Sequence, residues 1–490
     1  MIAHYLGQTT IAADALAAAF RIPNVLQNLL GEGVLSASFI PEYARLRKQG
    51  KLSEARQLAG AVLGLLSGVV LVIVAIGVTV APWLVGVLVP GFDGSRRTLA
   101  IALIRILFPG VGALVLSAWC LGVLNSHGRF FLSYAAPVIW NVAIIAATVV
   151  AAARGGPDHI VIWIAWGAAL GSLLQFLVQL PPLLNAAGPV WPSYGPSTLA
   201  FQAVRTNMLP AVFTRGVVQI SAFLDAWIAS WLPLGSVAAL ANSQLLYTLP
   251  ISLFGMSIAA SELPAMAEDT AHGAGSAALI ERLKSGSARI AFFVVPTSFA
   301  FVALGHQVAG VVFQSGAFSA ADARWVWGTL AGAAIGLLPQ AWGRLLNSAH
   351  YALGDTRTPL RFATFRVALS VVLGAAIAFQ GPRILGIDPK WGTVGLAFGT
   401  AVAGTLEWFL LRRSLISKLG PFGLASDRHF RWWGAAAIAT VVGVATYLLL
   451  PRSPVLITGP ASLGAFGVTY LAVAWALGIP EVRLLGLNRP

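Results

Sequence analysis

The sequence predicts an all-α polytopic membrane protein, and three observations carry that prediction. Of its 490 residues 58% are hydrophobic and 10% charged, the mean hydropathy is +0.81, and apolar stretches able to cross about 30 Å of hydrocarbon recur along the whole chain. Soluble globular domains carry about a quarter of their residues charged. That class is excluded.

The stretches fall near residues 11–44, 60–90, 99–125, 131–153, 160–181, 203–232, 236–266, 288–313, 325–351, 360–380, 392–411, 432–450 and 461–479, about 13 complete spans. The first is the least ordinary. It sets Arg21, Asn24, Gln27, Asn28, Glu32 and Glu42 among apolar residues and two prolines, a mixture that hydrocarbon accepts only where side chains face protein or a water-filled cavity. Glu42 and Arg45 read as groups that snorkel to the interface. Glu32 has apolar neighbours on both sides and no cation within a turn, and it reads as a cavity residue. The spacings Gly64/Gly68, Gly332/Gly336 and Gly395/Gly399 read as helix packing. The run GDTRTP (354–359) reads as a helix start with Pro359 in the first helical position, and Glu407 as the interfacial partner of Arg412.

Assigning the loops alternately to two sides places 18 Lys and Arg in the set containing 45–56, 127–130, 182–200, 267–289, 352–361, 412–431 and the C-terminus, against 7 in the other. The first set is predicted to be cytoplasmic. The net charge of +14 is therefore topological, with an attraction for anionic membrane lipids. The basic residues form no aromatic-interleaved patch, and nucleic acid is not an expected partner. Cys120 is the single cysteine and no HxH or HExxH spacing occurs, so neither a disulfide, a metal site nor a cofactor is expected. No phosphate-binding loop is present, and no loop carries the carboxylates that a membrane glycosyltransferase would use. The chain is not read as an enzyme.

The chain also resembles itself. VGVLVPGF (85–92) echoes GVVFQSGAF (310–318), VLNSHGRF (123–130) echoes LLNSAHYA (345–352), IAHYLG (2–7) echoes IASWLP (228–233), and Pro23 and Pro41 echo Pro250 and Pro264, at offsets of 222 to 227. Two parallel six-helix repeats around a central cavity, followed by two further helices, account for this order. The expected divisions are an N-terminal lobe at 1–181, a Pro/Gly-rich linker at 182–201, a C-terminal lobe at 202–411 and two additional helices at 412–490. In this alignment the segment 202–227 has no counterpart after Met1. The first helix of the fold is therefore expected to be truncated here, with about 25 further residues upstream.

The strings AADALAAAFRIPNVLQNLLGEGVLSASFIPEY (12–43), APWLVGVLVPGF (81–92), RILFP (105–109), VLNSHGRFFLSYAAPVIWN (123–141), VVFQSGAF (311–318) and YALGDTRTP (351–359) resemble, in order, those of the MurJ/MviN family of lipid II flippases. That family belongs to the multidrug/oligosaccharidyl-lipid/polysaccharide exporter superfamily. The resemblance implies fourteen helices in two lobes and outward movement of a polyprenyl-pyrophosphate-linked peptidoglycan precursor across the bacterial inner membrane by alternating access. It matches Asp14 and Glu32 to acidic cavity positions and Arg21 and Arg105 to basic ones. The chain departs from the family in carrying Gln27 and Asn28 at a basic pair, and Ser243, Gln244 and Tyr247 where the eighth helix has Asp-Arg and a Glu three residues on. The implied cavity is correspondingly less cationic, with Arg215 and Asp225 of the seventh helix as compensating charges.

A lipid-linked sugar pyrophosphate needs cations and hydrogen-bond donors for its head and an apolar path for its tail. The residues expected to line that path are Asp14, Arg21, Asn24, Asn28, Glu32, Arg105, Arg215, Asp225 and Gln244. A coupling cation stays open as a further partner. Two alternatives stand beside the flippase: an exporter of another polyprenyl-linked oligosaccharide or a drug/cation antiporter, and a non-transporting scaffold of an envelope-synthesis complex.

Overall fold

Prolines, caps and glycines inside the apolar stretches decide where the helices break. The computed structural model describes residues 1–30, 32–193, 199–271, 275–423, 429–450 and 453–486. Its helices are α1 (Ile2–Leu6), α2 (Ile11–Ala19), α3 (Arg21–Leu30), α4 (Glu32–Lys48), α5 (Leu52–Thr79), α6 (Ala81–Leu88), α7 (Gly94–Ser126), α8 (Phe130–Ala152), α9 (Pro157–Ala187) and α10 (Leu199–Ser230). They continue as α11 (Ser236–Pro250), α12 (Ser257–Ala271), α13 (Gly275–Ala303), α14 (Gly305–Phe313), α15 (Ala320–Ala334), α16 (Leu337–Ala352), α17 (Arg357–Leu385), α18 (Gly392–Leu419), α19 (His429–Leu449) and α20 (Val455–Ala476). No strand occurs among the described residues.

Ten of these segments, among the described residues, are long and apolar enough to cross a membrane. Three of the thirteen predicted stretches are not in that set. Residues 11–44 are divided into α2, α3 and α4; Thr10 caps α2 by accepting from the Ala13 N–H at 3.1 Å, and Pro23 sits in the first turn of α3, where its missing N–H leaves no bond unmade. Residues 325–351 are divided between α15 and α16, with the second starting after Gly336. Residues 203–232 fall in α10, where much of the side-chain detail lies outside the described residues. In 236–266 the chain stays helical, but a π-helical turn at Ile251–Met256 follows Pro250, whose ring removes one backbone donor and loosens the ladder.

The order long helix, short helix, further span recurs as α5–α6–α7 and as α13–α14–α15/α16, the last span divided at Gly336, in keeping with the duplicated sequence. Packing divides the chain into two compact units, Met1–Ala238 and Ala239–Pro490. Within the first, α10 packs on α3, α4, α5 and α6, and the core gathers Leu35, Phe39, Tyr43, Leu58, Val62, Leu66, Trp119 and Val123. In lipid, helices gain little by leaving an apolar solvent for an apolar neighbour, so close contact between small residues must hold them together. In the second unit a side chain on Gly399 would meet the Gly374 backbone of α17 at 2.6 Å, and one on Gly395 the Ala378 backbone at 2.9 Å. These glycines therefore pack helices, as their spacing predicts.

Gly64 does something different from what its spacing predicts. The partner of the α5 notch is an extended strap after α9: the Ser193 N–H donates to the Gly60 carbonyl at 3.1 Å, and a side chain on Gly64 would lie 2.5 Å from the Ser193 carbonyl oxygen. Gly64→Ala is expected to lift this strap and to speed its cleavage by a protease of broad specificity, such as proteinase K, in detergent. Gly434→Ala, with open space around it, is the matched control and should leave cleavage unchanged.

The GDTRTP run starts α17 as expected, but Arg357 is its first residue and Pro359 its third. Asp355 caps it, accepting from the Thr358 N–H at 3.0 Å, and its other oxygen is bound by Lys418 near the end of α18. The Lys418 ammonium first, and then Thr358, hold the Asp355 carboxyl well below the usual carboxylate range. A depressed carboxyl contributes stability above its unfolded pKa and loses it as pH falls through the folded value. The thermal-stability difference between the protein and its Asp355→Asn variant should therefore be full at pH 7 and shrink below about pH 4.

Candidate functional site: charged groups at membrane depth

Asp14 lies in the first turn of α2 with no exposure. Its carboxylate joins three segments: one oxygen takes the Arg96 guanidinium from the first turn of α7 and the Gly235 N–H at 2.8 Å, and the other takes the Ala238 N–H at 2.8 Å. Gly235 and Ala238 flank the start of α11, so Asp14 caps that helix from a distant part of the chain, supplying the acceptor its first turn lacks. The Gln8 side-chain amide donates to the Gly235 carbonyl at 2.8 Å, and the Arg96 guanidinium lies 3.8 Å above the Phe92 ring. Both oxygens of this carboxylate are thus engaged by protein donors.

Arg21 opens α3, and its electrostatic partner is Asp225 of α10. Asp225 therefore works with Arg21 of the first span, while the side chain of Arg215, ten residues before it, lies outside the described residues, as do those of Asn28 and Glu32. Asn24 is exposed one turn beyond Arg21 and Ile22 between them is buried, so α3 presents a polar face at the helical spacing. Arg105 is exposed on α7 and its Nε donates to the Val78 carbonyl at 3.3 Å, a cation set against the carbonyl end of α5.

The second unit carries charges of its own. Glu407 of α18 pairs with Arg366 of α17 at 2.9 Å, which corrects the expected partner, Arg412; the Arg412 guanidinium donates to the Phe422 carbonyl at 3.4 Å. Arg344 of α16 is exposed and acts electrostatically on Glu407, Tyr247 and Tyr351. Gln244 is half-buried on α11, one turn before Tyr247. Nearer the predicted cytoplasmic side, Glu262 of α12 is 6% exposed and binds Arg289 at 2.5 Å and Arg282 at 3.5 Å, both from α13.

No group of three or more metal-ligating side chains occurs among the described residues. Sequence reasoning missed Arg96, because a cation in a short loop counts as a topological signal. It also missed Arg366 and Arg344, the latter the single Lys, Arg, Asp or Glu in the apolar stretch 325–351, which is itself a usable signal of function.

An all-α polytopic fold with carboxylates and guanidiniums buried among apolar helices is the make-up of a membrane transporter. The solved structure of a lipid II flippase MurJ in an inward-closed conformation is similar over 97% of this chain and 94% of its own, with a TM-score of 0.76 at 20% identity. An inward-facing multidrug resistance MATE family transporter of the MOP superfamily is similar over 85% of this chain and 93% of its own, with a TM-score of 0.69 at 19% identity. The family model "Lipid II flippase MurJ" matches residues 2–459. The probable lipid II flippase MurJ of Vibrio cholerae is 30% identical over 494 residues, covering 96% of this chain and 90% of the relative. That of Haemophilus influenzae is 31% identical over 468 residues, covering 92% and 88%. The chain belongs to the MurJ lipid II flippase family.

Removing the Asp14 carboxylate strands the Arg96 charge and two backbone donors together. Asp14→Ala is expected to destabilise the fold by about 3–5 kcal/mol, the cost of breaking a buried pair on one side. Asp14→Asn keeps an acceptor and should fall between the two. Thermal unfolding of the three proteins in one detergent checks this order.

Proposed function

We propose that this protein moves lipid II, a polyprenyl-linked peptidoglycan precursor, from the inner to the outer leaflet of the bacterial inner membrane. The observation that carries the reading is the family match over residues 2–459, and the charged groups kept at membrane depth fit it. The cargo changes side with no bond made or broken. The task is therefore to hold a pyrophosphate and a hydroxyl-rich head away from hydrocarbon while the tail stays in lipid.

Arg21 and Arg105 would offer the head guanidinium donors in the first unit, with Asn24 one turn from Arg21; Asn28, Glu32 and Arg215 stay as further polar candidates on the sequence alone. Asp14 would hold the helix ends around them and Asp225 would set Arg21; Gln244 is a separate polar position, in the second unit. Alternating access would carry the head across. The membrane potential, positive outside, favours outward passage of an anion by about 2.3 kcal/mol per elementary charge per 100 mV, so two phosphates supply a direction even without a coupling cation.

In a bacterium whose own lipid II flippase is depleted, expression of this chain is expected to restore growth and to clear the precursor that accumulates at the inner leaflet. Failure of both with the protein present in the membrane would favour a scaffold in an envelope-synthesis complex, or a transporter of another cargo.

A further inference from the structure

The second unit holds a cluster that the reading above leaves unused. Arg344, Asn347 and Tyr351 recur at i, i+3 and i+7 on α16 and so share one face. Opposite them in electrostatic reach are Tyr247 of α11, Arg366 of α17 and Glu407 of α18. The residue counts to the predicted cytoplasmic ends of α16, α17 and α18 place Arg344, Arg366 and Glu407 about 12, 14 and 18 Å inward. Two guanidiniums face one carboxylate. Glu407 is engaged by Arg366 at 2.9 Å, whereas Arg344 makes no ion pair or hydrogen bond among the described residues. The Tyr247 hydroxyl and the Asn347 side-chain oxygen are both shielded without a hydrogen-bond partner.

A cation kept at this depth beside an unused hydroxyl donor is costly unless something occupies the position. An arginine that merely ran to the interface would not act on groups from α11, α16 and α18 together. What the cluster lacks is a second acceptor-only group of negative charge for Arg344, and a phosphate is such a group: it can take a two-pronged guanidinium and a hydroxyl at once. We propose that Arg344, together with the unpartnered Tyr247 hydroxyl of α11 and with Arg366 held in place by Glu407, forms an anion subsite in the second unit that takes a phosphate of the lipid-linked cargo. This rests on the flippase reading and adds to it a binding position outside α2–α4. Arg344 and Tyr247 bind the phosphate; Glu407 is a positioning residue that keeps Arg366 from competing for it.

The test measures binding of undecaprenyl pyrophosphate to the intact purified protein by native mass spectrometry, with phosphatidylglycerol as the competing lipid phosphate. Arg344→Gln is expected to weaken binding about tenfold or more, the loss of a charge-assisted hydrogen bond, Arg344→Lys to restore part of it, and Tyr247→Phe to weaken it less. Arg383→Gln, which removes an equal charge at the other end of α17, should bind as the unaltered protein does. If Arg344→Gln fails to fold, Arg344→Lys and Tyr247→Phe carry the same comparison. Equal binding by the Arg344 and Tyr247 variants and the unaltered protein overturns the subsite and leaves the flippase reading standing. Displacement by phosphatidylglycerol at equal concentration overturns the assignment to cargo. If the unaltered protein takes up no undecaprenyl pyrophosphate, the subsite and the proposed cargo fall together.

Discussion

The fully buried carboxylate of Asp14 is the interaction on which much of the first unit depends. It neutralises Arg96, caps the start of α11 and ties α2 to α7 with one side chain. Hydrocarbon offers no water to satisfy a helix end, so each break in a membrane helix must be closed by a side chain or another backbone. This chain breaks its helices at Phe20 and Gly336 and between α10 and α11, and at the last of these Asp14 meets the freed Gly235 and Ala238 N–H groups. The same constraint explains why Glu407 has Arg366 and Glu262 has Arg289 and Arg282.

Packing and polarity divide the work between them. Glycine faces on α5, α15 and α18 let backbones approach until no side chain would fit, which supplies cohesion that the hydrophobic effect cannot supply inside lipid. The polar groups then fix register. On α5 the glycine face receives an extended strap, so one device serves both helix pairing and anchorage of the segment that leads away from α9.

Much of the architecture was legible because hydropathy and loop charge report directly on a bilayer. The duplicated strings carry the repeated order, and residues 12–43 and 351–359 carry the resemblance to the family to which the chain belongs. Partners were the illegible part. Asp14 meets Gly235 across 221 residues, and nothing local to either announces the other. Glu407 had Arg412 within a turn or so in sequence and Arg366 on the neighbouring helix; only packing decides between such candidates. Gly64 carried a helix-packing spacing, yet its neighbour is an extended chain, since a small residue announces close approach and not the kind of backbone that approaches.

The chemistry of the cargo and the charges of the chain meet in a single question, whether this protein alone moves the head of lipid II across a bilayer. Purified protein reconstituted into vesicles with fluorescent lipid II, with an impermeant quencher added at intervals, asks it directly. The account predicts that label initially sheltered in the inner leaflet becomes quenchable at a rate above that of protein-free vesicles. Rates that coincide, with the protein folded and inserted, would contradict it.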